Sequence, residues 1–154
     1  MDYIVVKWLH ILSSTLLFGT GIGSAFYMLF ANVSRDVRAI AVVAKYVVIA
    51  DWLFTATTAI LQPATGFYLI HLAGYPLHSK WIMWSIALYV LAGACWLPVV
   101  WLQIRMRDIA EQAVRDGTEL TAQYWRYFRI WVTLGVPAFI AFVGIFWLMV
   151  AKPM

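Results

Sequence analysis

The chain has 154 residues, of which 64% are hydrophobic, 17% aromatic and only 12% charged. Ordinary soluble domains are roughly 45–50% apolar and about 25% charged, so this composition excludes a water-soluble globule and makes lipid the solvent for part of the surface. The net charge of +4 does not indicate a nucleic-acid partner, because the basic residues fall in linkers between apolar segments and not in one patch.

The first apolar segment, residues 3–30, is longer than the ~7–15-residue core of a secretory signal. Its "GIGSA" is followed by more membrane-type sequence, "FYMLF", so it reads as a retained span. At 100° per residue, Tyr3, His10, Ser14, Leu17, Gly21, Ser24 and Met28 fall within about 40° of one common direction. His10 thus heads a stripe of small and hydroxyl residues where a lipid-facing stripe would carry Leu, Val or Phe. Gly19 and Gly23 form a GxxxG pair on the opposite face, the spacing of close helix packing. The glycines of "GTGIG" lack the strand and spacing of a dinucleotide loop.

After the linker "ANVSRDVRAIAVVAK" comes a second span, residues 46–70. Here Asp51, Thr55, Thr58, Gln62 and Thr65, at offsets of 4, 7, 11 and 14 from Asp51, form one continuous polar face. A carboxylate within a span normally faces the bundle interior with a partner. Two roles stay open for Asp51: an ion pair with Arg126 or Arg129 at the entry to span four, or proton or substrate handling. Pro63 removes a backbone donor beside Gln62 and frees a carbonyl inside the membrane. His71 closes this span and reads as an interfacial residue.

The short linker "HLAGYPLHS" leads to the third span, residues 80–104, where His78, Ser85, Tyr89, Trp96 and Gln103 share a stripe. Its single cysteine, Cys95, leaves no disulfide framework or CxxC pair and reads as a small buried hydrophobe. Residues 105–129 continue as an amphipathic helix past the membrane, with a break near Asp116-Gly117 and Thr118 as the cap of the next helix. The fourth span covers residues 130–150 and, like the third, contains a proline, Pro137 after Pro98. The expected fold is an all-α, four-helix transmembrane bundle forming one domain over residues 1–154. Arg35, Arg38, Lys45, Arg105, Arg107, Arg115, Arg126 and Arg129 lie in linkers one and three, against Lys7, Lys80 and Lys152 on the other side. That eight-to-three asymmetry expects both termini on the outer, periplasmic side of a bacterial inner membrane.

All three histidines fall on the outer side. Two imidazoles on inward stripes, His10 and His78, suit the axial positions of a haem held between facing helices. Ser14, Gly21 and Ser85 leave room for a ring, and Lys7 or Lys80 would meet the propionates. The competing reading is that both histidines simply hydrogen-bond across helices.

The stretch "KWLHILSSTLLFGTGIGSAFYM", followed by "PLHSKW", resembles a family of four-span bacterial integral membrane proteins that carries a domain-of-unknown-function label. More distantly it resembles quinone-linked protoporphyrinogen oxidases of the HemJ type and the membrane domain of CopD-type copper-resistance proteins. In the HemJ-type pattern a first-span Lys-x-x-His precedes a Phe-Tyr, and a later His-x-Lys opens another span. Lys7 with His10, Phe26 with Tyr27, and His78 with Lys80 stand at those places. The arginine that closely follows Phe-Tyr in that pattern is missing, since "MLFANVSR" intervenes.

The resemblance implies b-type haem and a membrane oxidoreductase with quinone or porphyrin as partner. His10 and His78 would be metal ligands, and Lys7, Lys80, Ser14 and Tyr89 cofactor contacts. Asp51, Thr55, Thr58, Gln62 and Arg129 are further intramembrane polar candidates. Two other readings stay open: an accessory or scaffold subunit without cofactor, in a homo-oligomer or with a partner membrane subunit, and copper or small-solute transport. The six methionines form no close thioether repeat, which tells against Cu(I).

Overall fold

The computed structural model describes residues 2–153, and among these every regular element is helical. Helix α1 (Tyr3–Ser34) opens on Asp2, whose carboxylate accepts from the Ile4 amide. It closes at Arg35, a non-glycine residue in the left-handed region at φ 59°. Asp36 at once caps α2 (Val37–Ala50), accepting from the amides of Arg38 and Ala39 at 2.9 and 3.3 Å.

The stretch read as a linker, residues 31–45, is therefore almost wholly helical around one tight turn. Its polar residues only flank an amphipathic stripe, with Ile40, Ala41, Ala44, Val47 and Val48 buried. A π-helical turn, Asp51–Thr55, joins α2 to α3 (Ala56–Ala73) without a break, so Val37–Ala73 is one 37-residue rod.

Helix α4 (Lys80–Asp116) ends in a Schellman motif. Gly117, at φ 65°, donates to Val114, and Thr118 donates to the Ala113 carbonyl. The expected break is at Gly117, but Thr118 closes α4 and does not open α5. The cap of α5 (Ala122–Ala151) is Thr121, whose hydroxyl accepts from the Tyr124 amide. Three residues are spent on the turn before the cap, which moves the start of the last helix past Thr118.

Four rods are long and apolar enough to cross a membrane. The two of 37 residues measure about 55 Å at 1.5 Å per residue, well beyond a hydrocarbon core of about 30 Å. Both termini and the 74–79 loop share one end of the bundle, where Lys152 lies over the rings of Tyr75 and Trp81. The two tight connections, residues 35–36 and 117–121, share the other, here called the linker end.

The core sits toward the linker end. Met28, Ile40, Ala44, Val47, Leu102, Met106, Ala110, Tyr124 and Trp131 form one buried cluster there. The Tyr124 hydroxyl donates to Asn32 Oδ1 at 2.7 Å inside it. Helix α1 packs on α3, α4 packs on α5, and close backbone contact between these two pairs runs mainly through α2 against α4. Farther from the linker end the pairs meet through side chains, such as Phe18 against Phe139, Phe142 and Phe146. Space is left between them.

Gly19 and Gly23 do not pack against another helix of this chain, because a Cβ on either would meet nothing within 4 Å. Two glycines do permit close approach: Gly66 on α3, whose Cβ would stand 3.3 Å from His10 Cε1, and Gly144 on α5, whose Cβ would stand 3.1 Å from Leu88 Cδ1.

Candidate functional site

A polar track runs along the α1–α3 interface and ends in the space between the helix pairs. At the terminal end, His10 Nδ1 lies 2.7 Å from Thr65 Oγ1. Thr65 gives its only hydrogen to the Leu61 carbonyl at 2.7 Å, so it accepts from Nδ1–H and leaves a lone pair on His10 Nε2. One turn deeper, the Gln62 amide donates to the His10 carbonyl at 2.8 Å and to Ser13 Oγ. The inward hydroxyl of this level is Ser13, which is buried, and not Ser14, which bonds the Ile11 carbonyl of its own helix. On a wheel Ser13 and Ser14 fall roughly 60° and 40° to either side of the stripe's centre, so periodicity alone does not decide which of them turns inward.

The carbonyl freed by Pro63 is that of Ala59, four residues earlier, and it has a partner. The Tyr89 hydroxyl of α4 donates to it, tying α4 to α3 inside the membrane. Thr58 is buried but turns back to the Phe54 carbonyl.

At the far end of the track stands Asp51, 4% exposed, at the start of the π turn. The Thr55 hydroxyl donates to its Oδ1 at 2.9 Å, and the buried Gln103 of α4 lines the same cavity. The π turn makes this placement: the Ala56 amide bonds the Asp51 carbonyl five residues back, which widens the helix at the carboxylate. Neither Arg126 nor Arg129 pairs with Asp51. The one ion pair among the described residues is Arg107–Asp108 on the surface, and Arg129 is exposed. An arginine at the linker-end surface would have to cross the core cluster to reach Asp51.

Between the helix pairs lies a cavity of about 610 Å³. Ser24, Asp51, Thr55, Tyr89, Trp96, Gln103 and Trp131 are its lining residues with polar side-chain groups, and Leu17, Phe18, Phe26, Phe139 and Phe142 form part of its apolar wall. Ile22, Leu97 and Val136 line it too and are exposed on the bundle surface, so the cavity reaches the lipid-facing side. Trp131 was not among the residues singled out from sequence, where it looked like one more apolar residue of span four.

The histidines are arranged differently from the bis-imidazole expectation. His78 sits in the exposed 74–79 loop and not on α4, and neither it nor His10 lines the cavity. Lys7 and Lys80 are exposed at the same end, with Lys7 lying over the Tyr3 ring. No group of three or more His, Cys, Asp or Glu side chains is placed to hold a metal ion among the described residues. Cys95 is buried and free. His10 could offer one axial nitrogen to a haem, while the expected second ligand stands outside the helices.

Four apolar rods around a buried carboxylate agree with the match of residues 4–153 to a family model described as a predicted integral membrane protein. The chain belongs to the DUF2269 family. Neither a curated protein nor a solved structure matches it. Membership in DUF2269 therefore supplies an integral membrane protein and leaves the activity to be argued from the site.

Proposed function

We propose that this protein is a membrane redox component that takes a lipid-soluble, quinone-class molecule from the bilayer into the cavity between its helix pairs. The observation that carries this reading is the cavity itself. It is walled by aromatic and aliphatic side chains, reaches the lipid-facing side, and is floored by Asp51, Thr55 and Gln103. An apolar pocket with a few convergent polar groups is the usual form of a small-molecule site. Access from the side suits a ligand already dissolved in lipid. The test is to purify the protein in phosphatidylcholine nanodiscs, load it with a decyl-tailed benzoquinone, and compare retention with empty nanodiscs. Retention of the benzoquinone, or of its reduced hydroquinone, above empty discs that is lost in Gly93→Leu, which puts a side chain into the cavity wall, supports the proposal; retention of both equal to that of empty discs rejects it.

A second reading rests on His10. An imidazole whose Nδ1–H is fixed by a hydroxyl and whose Nε2 keeps a free lone pair is the orientation in which histidine ligates metals. We propose it as an axial ligand of b-type haem, with Lys7 and Lys80 as candidate propionate contacts. Protein purified from haem-replete cells should then show a Soret band that His10→Ala abolishes. A colourless, folded protein removes this reading and leaves the quinone-class proposal standing. The bacterial inner membrane, with periplasmic termini, is proposed as its location from the charge asymmetry.

A further inference from the structure

Three buried side-chain atoms among the described residues have no hydrogen-bond partner: Trp96 Nε1, Gln103 Oε1 and Trp131 Nε1. All three belong to residues that line the cavity. Gln103 and Trp131 are 4% and 7% exposed. Buried polar atoms are nearly always paired, and inside a bilayer bulk water is not at hand to pair them. Their clustering around one cavity ties them to whatever fills it. Beside them stands Asp51, with the Thr55 hydroxyl on one oxygen and, among the described residues, no cationic side chain within 4 Å.

This pattern discriminates between occupants. It offers two donors, the indole N–H groups, and one unfilled acceptor, the Gln103 carbonyl. An acyl chain leaves all three unpaired. A lipophilic cation would suit Asp51 and the aromatic wall but would be opposed by the two N–H dipoles. A quinone carbonyl accepts from an indole yet offers nothing to Gln103, and its oxygen lone pairs face those of Asp51. A ring hydroxyl meets both demands at once, since its oxygen accepts from an indole N–H while its hydrogen goes to Gln103 Oε1.

We infer that the cavity selects the hydroxyl-bearing form of its ring ligand, a quinol or comparable lipophilic phenol, over the carbonyl form. This rests on the quinone-class reading and names the oxidation state that the site holds. It concerns binding alone and assigns no electron transfer.

The experiment uses the full chain in phosphatidylcholine nanodiscs under anaerobic buffer. Three probes are compared by retention over empty nanodiscs: a decyl-tailed benzohydroquinone, the matching benzoquinone, and the dimethyl ether of the hydroquinone. The ether keeps shape and oxygens but has no hydrogen to donate. The hydroquinone should bind about tenfold more tightly than either of the others, the worth of one well-placed hydrogen bond to a buried acceptor. In Gln103→Leu that advantage should shrink below about twofold while ether binding is unchanged, with Gln103→Met as a second variant of similar bulk. Equal binding of hydroquinone and ether, or a gap that survives in both variants, overturns the inference, and the wild-type comparison decides even where a variant fails to fold. Binding of none of the three probes rejects the quinone-class reading itself, and the inference falls with it.

Discussion

Tyr89 shows how one side chain repairs a local defect and in doing so builds the site. Pro63 cannot donate to the Ala59 carbonyl, and in hydrocarbon an unpaired carbonyl costs several kcal/mol. The Tyr89 hydroxyl supplies that bond from the neighbouring helix pair, and its ring then lines the cavity. Tyr89→Phe should therefore lower unfolding stability by about 1–3 kcal/mol, because the carbonyl is left unsatisfied. Thermal unfolding in detergent measures this. The control is Pro63→Ala, which restores an amide donor to Ala59; in that background Tyr89→Phe should cost clearly less. Equal costs in the two backgrounds would show that the hydroxyl does not serve the carbonyl. Much of this was legible in sequence: Pro63 announces an orphan carbonyl, and Tyr89 stands on the inward stripe of its span. Their pairing was not, since it depends on the axial offset between two helices, which no single-helix periodicity contains.

The same limit governs the elements. Periodicity located four apolar rods and the polar face from Asp51 to Thr65, of which Asp51, Thr55, Thr58 and Thr65 are buried. It did not reveal that residues 37–45 are helical, because Arg35, Asp36 and Arg38 resemble a solvated linker until Asp36 is recognised as a cap. The π turn was equally silent in sequence, since a wheel drawn at 100° per residue assumes a regular helix throughout.

That turn carries a prediction of its own. A π bulge behaves as one extra residue accommodated within an α-helix, so deleting Leu53, which is exposed, should convert Asp51–Thr55 to ordinary α-helix with both flanks in register. The protein should remain folded, with helical circular dichroism unchanged, while Asp51 shifts relative to Gln103 and retention of the hydroquinone drops severalfold. Full retention by the folded deletion variant would show that the bulge does not position the carboxylate.

At the scale of the whole molecule, the packing divides along the bundle axis. The linker end holds the contiguous core and the long ends of the rods, and the middle holds the cavity. The basic residues follow the same division. Arg35 lies in the first tight turn, Arg38 and Lys45 on α2, Arg105, Arg107 and Arg115 in the last third of α4, and Arg126 and Arg129 early in α5. All stand at the linker end, against Lys7, Lys80 and Lys152 at the terminal end. Positive residues near span ends are retained on the cytoplasmic face, so the linker end should face the cytoplasm and the termini the opposite side.

Cysteine labelling tests this directly, because the native Cys95 is buried and can be left in place as an internal control. Arg115→Cys and Lys152→Cys report the two ends, both at exposed positions. In intact cells with a permeable outer barrier, a membrane-impermeant maleimide should label Lys152→Cys and leave Arg115→Cys unlabelled until the membrane is disrupted. The reverse pattern would invert the orientation and put the His10 end of the polar track in the cytoplasm. Labelling of both in intact cells would mean that the bundle inserts in two orientations, and the eight-to-three asymmetry would then be too weak to fix it.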